Sequence, residues 1–165
     1  MNITFNEKRI DEEIKYYLPA IKKLLDNEVV QSLIDSEQFN KLFINTDDNV
    51  LVPVFIKAGI DFLKNKTKIN EAMFRGLAIT SIDIPEGIIG IHGQAFSYCK
   101  ELKTVVLPKG IIFINDSAFY GCEELEEFII HDSIVEYDRE GLSELLKTTK
   151  VKKVIFDNGA IELWK

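Results

Sequence analysis

Apolar and turn-forming residues recur every 23 positions along the second half of the chain. The window from Ile79 to Glu101 aligns without gaps to the window from Leu102 to Glu124, with nine identical positions. The identical pairs are Pro85/Pro108, Gly87/Gly110, Ile88/Ile111, Ile89/Ile112, Ile91/Ile114, Ala95/Ala118, Phe96/Phe119, Cys99/Cys122 and Glu101/Glu124. A period of this length is typical of a solenoid, in which each repeat forms one coil and stacked coils share a continuous core.

Each repeat predicts a short strand followed by the remaining sides of a coil. In the second window, the side chains of Leu102, Val105 and Leu107 are expected to point into the core. Pro108 lacks an amide hydrogen and ends the strand, and Gly110 supports the following turn. The other sides of this coil are expected to bury Ile111, Ile114, Ala118, Phe119 and Cys122.

Weaker copies of the repeat flank the two regular windows. Residues 125–147 keep the apolar positions but lose the proline and the Ala-Phe pair, and Val151 to Phe156 repeats the opening strand three residues late. Upstream, Ile69 to Gly76 resembles the turn segment Ile114 to Gly121 and forms a half repeat. We therefore predict a solenoid of about three coils at residues 69–165, closed by a C-terminal capping strand and tail.

The segment before the repeat, residues 1–68, shows helical spacing. Apolar residues between Ile10 and Leu25 recur at intervals of three and four, and a further helix is expected from Leu51 to Ala58, with Asp61 capping a final turn. A solenoid needs terminal caps to cover the ends of its core. We therefore predict an α+β fold with a helical N-terminal cap segment at residues 1–68 and the solenoid at 69–165. A small separate binding domain is the alternative for the first part.

The repeat resembles the BspA-like class of leucine-rich repeat, with the pattern I-x-I-P-x-G-I-x-x-I-x-x-x-A-F-x-x-C-x-x-L. The residues that carry it are Ile82–Pro85, Ala95–Phe96 and Cys99 in one coil, and Val105–Pro108, Ala118–Phe119 and Cys122 in the next. The resemblance covers residues 69–157. It implies a curved leucine-rich-repeat solenoid used for adhesion or protein recognition. Because similar short versions occur in phage-encoded proteins, it also suggests a phage origin.

Acidic residues outnumber basic ones, and the excess is uneven. The net charge is −7; residues 1–76 hold 12 acids and 11 bases, whereas residues 77–165 hold 15 acids and 9 bases. A phosphate backbone would be repelled by the second part, so we expect no direct nucleic-acid binding. The ten acids between residues 111 and 146 are either a solvated face or a patch that meets a basic partner.

The sequence contains no P-loop, G-x-G-x-x-G, H-E-x-x-H or C-x-x-C motif. His92 and His131 are interpreted as solvated side chains, and Cys99 and Cys122 as free thiols buried in the core. We therefore expect no enzymatic activity, no cofactor and no metal site. The first residues form no apolar signal segment, and no stretch reaches about 18 apolar residues, so we expect a cytoplasmic protein that does not cross a membrane.

Two rows of side chains are expected on the outer face of the strands. The first row is Ser81, Thr104, Glu127 and Lys153. The second row is Asp83, Val106, Ile129 and Ile155. Its three β-branched apolar residues either reflect strand propensity or form a binding stripe. A further apolar row is expected on another side at Ile89, Ile112 and Val135, joined by Phe113.

These features favour a non-catalytic module that binds a protein partner, which could carry a basic face. The predicted contact residues are Asp83, Thr104, Val106, Glu126, Glu127, Ile129 and Ile155. One alternative is a self-assembling structural or surface component that forms homo-oligomers through its apolar stripes and the open final strand at residues 151–156. Another is an acidic inhibitor that imitates nucleic acid on a basic host protein.

Overall fold

The computed structural model describes residues 2–6, 19–20, 22–23, 26, 56–58, 61, 63–130, 149, 151, 153–156 and 161–163. Nine strands lie within these described residues. They are β1 (Asn2–Phe5), β2 (Lys68–Ile69), β3 (Ile79–Asp83), β4 (Gly90–Ile91), β5 (Thr104–Val106), β6 (Phe113–Ile114), β7 (Glu127–Ile130), β8 (Lys153–Phe156) and β9 (Ile161–Leu163).

The strands form two sheets on two sides of a stack of coils. The larger sheet has the order β1-β3-β5-β7-β8-β9, and its four central strands are parallel; the smaller has the parallel order β2-β4-β6. Ser81 pairs with Thr104 and Thr104 with Glu127, so the paired residues occupy equivalent positions in successive repeats. Glu127 pairs with Lys153 rather than with Lys150, which confirms that the last strand arrives three residues late. The sequence repeat is therefore the stacking period of a solenoid.

The core consists of the residues that the repeat predicts to face inward. Leu102, Val105 and Leu107 have no exposed surface. Phenylalanines from successive coils stack face to face: the ring centroids of Phe74 and Phe96 lie 5.2 Å apart, and those of Phe96 and Phe119 lie 5.1 Å apart. Identical residues recur at this position because the same space is left inside every coil.

The two cysteines are free and buried, as predicted. Each thiol donates a hydrogen bond to a backbone carbonyl of the preceding coil, Cys99 Sγ to Phe74 O at 3.0 Å and Cys122 Sγ to Phe96 O at 3.1 Å. A cysteine at this position is a small buried side chain with a donor that links two coils. Burial raises the pKa of Cys122 to about 12 and raises that of Cys99 well above its ordinary value.

Both thiols should react slowly with a thiol reagent in the native protein, because the reactive thiolate is suppressed and the sulfur atoms are covered. We expect labelling to become fast once denaturant unfolds the chain. The raised pKa of Cys122 also means that its contribution to native stability is fully present below pH 9 and is lost as the pH rises towards 12, since only the unfolded thiol ionises in that window. The raised pKa of Cys99 acts in the same direction. Rapid labelling of the folded protein, followed by mass spectrometry, would contradict this burial.

The start of the chain forms a strand, so the prediction of a helical cap is wrong for residues 2–5. β1 pairs antiparallel with β3, and Phe5 is buried next to Ile79 at this end of the core. The Asn6 amide continues the pairing by donating to the Ala78 carbonyl at 2.9 Å. The sequence did not predict this strand, because four residues are too few to show a clear alternation of apolar and polar side chains, and the segment around them has helical spacing.

Most of the predicted cap lies outside the described residues, and the part that is described contains no complete helix. Helical backbone occurs at residues 19–20, 22–23 and 56–57. The predicted role of Asp61 is confirmed, since its Oδ1 accepts a hydrogen bond from the Leu63 amide at 2.9 Å. Leu63 is buried in the solenoid core. The end of this segment therefore packs onto the first coil. The structure does not support a helical cap, and the domain boundary at residue 68 stays a prediction.

The final strand of the solenoid is not open, which corrects the expectation for residues 151–156. β9 pairs antiparallel with β8, with Ile161 opposite Ile155 and Leu163 opposite Lys153. The larger sheet thus ends in an antiparallel strand on both sides, β1 at one edge and β9 at the other. Because β9 pairs with β8, β8 is not an edge strand to which another chain could add.

Candidate functional site

The outer face of the larger sheet brings together the residues predicted as a binding site. Asp83 pairs with Val106, Val106 with Ile129, and Ile129 with Ile155, so these residues form one row across four parallel strands. Their neighbours in sequence Val105, Phe128 and Val154 are fully buried, which confirms the predicted alternation. We call Val106, Ile129 and Ile155 the outer stripe.

The outer stripe is only partly exposed. Val106, Ile129 and Ile155 each keep a minor fraction of their surface in contact with solvent, whereas Asp83 at the start of the row is exposed. β-branched side chains in one row protect one another because neighbouring strands lie about 4.8 Å apart. The result is a narrow apolar row that presents its outer surface without compromising the core.

A cleft of about 340 Å³ lies at the acidic end of this row. Asn2, Asp83, Pro85, Glu86 and Pro108 line it, together with Ile84 and Leu107. The Asn2 side chain donates to Asp83 Oδ2 at 3.3 Å. β1 therefore helps to shape the surface beside the outer stripe, a contribution that the sequence pattern did not reveal.

The first predicted row, Ser81, Thr104, Glu127 and Lys153, is polar and carries a salt bridge. Thr104 and Glu127 are neighbours in register, and Glu127 Oε1 lies 3.2 Å from Lys153 Nζ. This ion pair is about one-third exposed on each side, so it holds the edge of the face without a large contribution to stability. Glu126 is exposed next to it.

Lysines from neighbouring coils neutralise part of the acidic stretch between residues 111 and 146. Glu123 lies 3.2 Å from Lys100, and Glu124 lies 3.6 Å from Lys103. Counting charges along the sequence missed these pairs because stacking brings together residues from successive repeats. The later acids of the stretch lie outside the described residues. They are Asp132, Glu136, Asp138, Glu140 and Glu144.

The smaller sheet carries a more exposed apolar surface. Ile112 is 66% exposed, Phe113 44% and Ile89 43%; we call these three residues the apolar patch. The Phe113 ring leans over Gly90, where a Cβ atom would lie 3.7 Å from Phe113 Cδ1 and 3.9 Å from Lys68 Cβ. Val135, predicted to extend this row, lies outside the described residues.

An aromatic contact on the third side of the coils was not predicted. Tyr98 has a left-handed backbone (φ 59°), although the equivalent residues Gly76 and Gly121 are glycines with φ 72° and 75°. Its ring packs edge-on against Tyr120 at 5.6 Å, and the Arg75 guanidinium lies 5.3 Å from the ring centroid. The sequence did carry a signal for it: glycine occupies the equivalent position in the coils before and after Tyr98. Glycine is favoured there because a left-handed backbone is unfavourable for a bulky residue.

The described residues offer no metal-binding cluster. Among them, no group of three or more His, Cys, Asp or Glu side chains could hold a metal ion. His92 packs edge-on against Phe113, with ring centroids 5.7 Å apart, and His131 lies outside the described part. Within that part there is also no helix of the length and apolar character that a membrane span requires.

A stack of parallel coils with a repeated Phe and Cys core defines a leucine-rich-repeat solenoid. The model of the BspA-type leucine-rich repeat region matches residues 59–161, and the chain belongs to this family. The resemblance inferred from the repeat is thereby confirmed.

Two solved structures are similar to parts of the chain. A leucine-rich repeat protein from Bacteroides capillosus is 30% identical, with a TM-score of 0.47; the match covers 56% of this chain and 64% of that protein. A leucine-rich cell surface protein from Faecalibacterium prausnitzii is 31% identical, with a TM-score of 0.38, over 52% of this chain and 21% of that protein. The chain thus spans less than two-thirds of either protein. No curated protein matches it.

Proposed function

We propose that this chain is a non-catalytic module that binds a protein partner through the outer face of its larger sheet. The observation that carries the proposal is the row formed by Asp83 and the outer stripe, which places three apolar side chains next to one another on the outside of the solenoid. Membership of the BspA-type leucine-rich repeat family supports a role in protein interaction or at a surface.

The row favours a partner segment with apolar side chains and one basic group. Fully burying an aliphatic side chain is worth about 1.5–3 kcal/mol, and the three residues of the outer stripe already hide part of their surface. The outer stripe alone would therefore bind weakly, since association itself costs several kcal/mol. The acids at its margins, Asp83, Glu126 and Glu127, would select a partner by charge, with Thr104 as a hydrogen-bonding neighbour.

Salt bridges within the chain weaken the case for an inhibitor that imitates nucleic acid. Two acids of the described stretch that lie outside the sheet, Glu123 and Glu124, are already paired with lysines. A basic partner would have to compete with these contacts, so the sheet face is the better candidate surface. A phage origin and a cytoplasmic location remain predictions from the sequence.

The test is a double substitution, Val106→Asp with Ile129→Asp. We expect the variant to lose stoichiometric binding of the protein captured from lysate by the wild type, because two buried carboxylates would face apolar partner atoms. The fold should survive, since both side chains lie outside the core. Circular dichroism and a thermal melt check the fold, and isothermal titration calorimetry with the captured protein measures binding.

Tyr120→Asp is the matched control, because it also replaces an exposed apolar side chain by a carboxylate but on another side of the coil. The control should bind like the wild type. A folded double variant with undiminished binding would exclude the outer stripe as the contact surface. Unfolding of the double variant would show that the two residues support the core.

A further inference from the structure

The solenoid carries apolar side chains on two of its sides. The outer stripe lies on the larger sheet, and the apolar patch lies on the smaller sheet, where Ile112 is the most exposed of the large apolar residues described. Both edge strands of the larger sheet are antiparallel additions. Another molecule therefore cannot pair with the parallel strands β3 or β8, which are covered by β1 and β9.

The two apolar surfaces have the same pitch. Along the outer face, Asp83, Val106 and Ile129 occupy successive strands. On the smaller sheet, the Ile89 amide donates to the Thr67 carbonyl at 2.7 Å, and the Ile112 amide donates to the Ile89 carbonyl at 2.8 Å. Each row therefore advances by one coil per residue, about 4.8 Å, so that one row can lie along the other in register.

The charges close to the starts of the two rows are opposite. Asp83 precedes Val106 on the outer face. On the smaller sheet, Thr67 lies one coil before Ile89, and Lys68 follows it at the start of the adjacent row, which continues through Gly90 to Phe113. Both charged side chains are exposed. Lys64 and Lys66 add to the positive end, and no acidic residue occurs between Asp61 and Glu71.

We propose that the apolar patch of one copy of this chain binds the outer stripe of a second copy. In this contact the coils of the two copies run parallel. Ile89 of one copy packs against Val106 of the second and Ile112 against Ile129, which brings Lys68, beside the start of the Ile89 row, close to Asp83. The proposal rests on the proposed function, since it assigns a partner to the same outer face.

Such a contact joins two different surfaces, so a pair of copies still has one unused apolar patch and one unused outer stripe. Head-to-tail contacts of this sort continue into chains or close into rings. The contact area is small, because only three side chains of the apolar patch take part. Self-association should therefore depend on protein concentration and weaken with salt, which screens exposed charges.

Complementary variants test the arrangement in sedimentation velocity across a concentration series. Ile112→Asp damages only the apolar patch, and Ile129→Asp damages only the outer stripe. We expect the wild type to form species larger than a dimer, and each variant alone to be monomeric, with affinity reduced at least about tenfold. An equimolar mixture of the two variants should form a one-to-one dimer that does not grow, because each contributes its one intact surface.

A pair of exposed charge substitutions provides a second test that leaves the apolar residues in place. Lys68→Glu and Asp83→Lys should each weaken self-association about two- to fivefold at low salt. Both changes in one chain should restore it, because the pair is then reversed rather than broken. Tyr120→Asp, on the third side, should leave self-association unchanged.

Three results would overturn the proposal: a wild type that is monomeric at all concentrations, a mixture of the two apolar variants without a dimer, or no restoration by the charge reversal. None of these results decides the proposed function. A monomeric wild type whose heterologous partner is lost with Val106→Asp and Ile129→Asp would retain the outer face as a binding site for a different protein. A self-associating wild type with no such partner would restrict the outer face to self-recognition.

Discussion

Replacing Phe119 by alanine should lower the free energy of unfolding by about 3–5 kcal/mol, the usual effect of deleting a buried phenylalanine ring. Phe119 is fully buried and stacks on Phe96 at 5.1 Å, while Phe128 meets it edge-on at 5.2 Å. The cavity would lie between two coils, where both neighbours are held by backbone pairing and cannot close it. Urea denaturation followed by circular dichroism measures the loss.

The adjacent residue supplies a matched control. Tyr120 is also aromatic but is 53% exposed, with Tyr98 as its aromatic neighbour. Tyr120→Ala should cost no more than about 0.5–1.5 kcal/mol, the value of an aromatic pair contact. Equal losses for the two variants would show that the repeat has been placed in the wrong phase.

Replacing Phe5 by alanine should also cost about 3–5 kcal/mol, although Phe5 lies outside the repeat. Its ring is buried at the first coil, and its strand closes the edge of β3. Losing the ring would expose the end of the core and weaken the packing of β1 against the sheet. The midpoint of thermal unfolding should fall accordingly.

Thr4→Ala tests whether the effect comes from the buried ring rather than from any change in β1. Thr4 is exposed on the same strand, and its backbone carbonyl, which accepts a hydrogen bond from Thr80, is kept. This variant should stay within about 0.5 kcal/mol of the wild type. If Phe5→Ala proved equally mild, β1 would not cap the solenoid.

The repeat predicted the middle of the fold well because its geometry is local and periodic. Once Leu102, Val105 and Phe119 are assigned inward in one coil, the same offsets assign the equivalent residues of the next. The outward row of Asp83, Val106 and Ile129 follows from the same alternation. Its binding role does not follow, because a row of β-branched residues also satisfies strand propensity.

Side-chain contacts between different coils and between distant segments could not be predicted from the repeat. The pairing of Lys100 with Glu123 joins residues that are one repeat apart, so a count of charge along the chain places them in different stretches. The exposure of Ile112 depends on what the neighbouring coils leave uncovered. Tyr98 departs from the repeat at a glycine position, and its contacts with Arg75 and Tyr120 arise only when three coils are stacked.

The sequence by itself determined the leucine-rich-repeat class, the stacking period, the buried Phe and Cys positions and the outward row. These properties depend on which side chain occupies each step of a regular coil. Only the tertiary structure decided how the sheet ends, with β1 and β9 pairing antiparallel at its two edges. Asn2–Phe5 joins Ile79–Asp83 although nearly half of the chain separates them. A pairing between such distant segments depends on which edge is free when the core has formed, information that no local pattern carries.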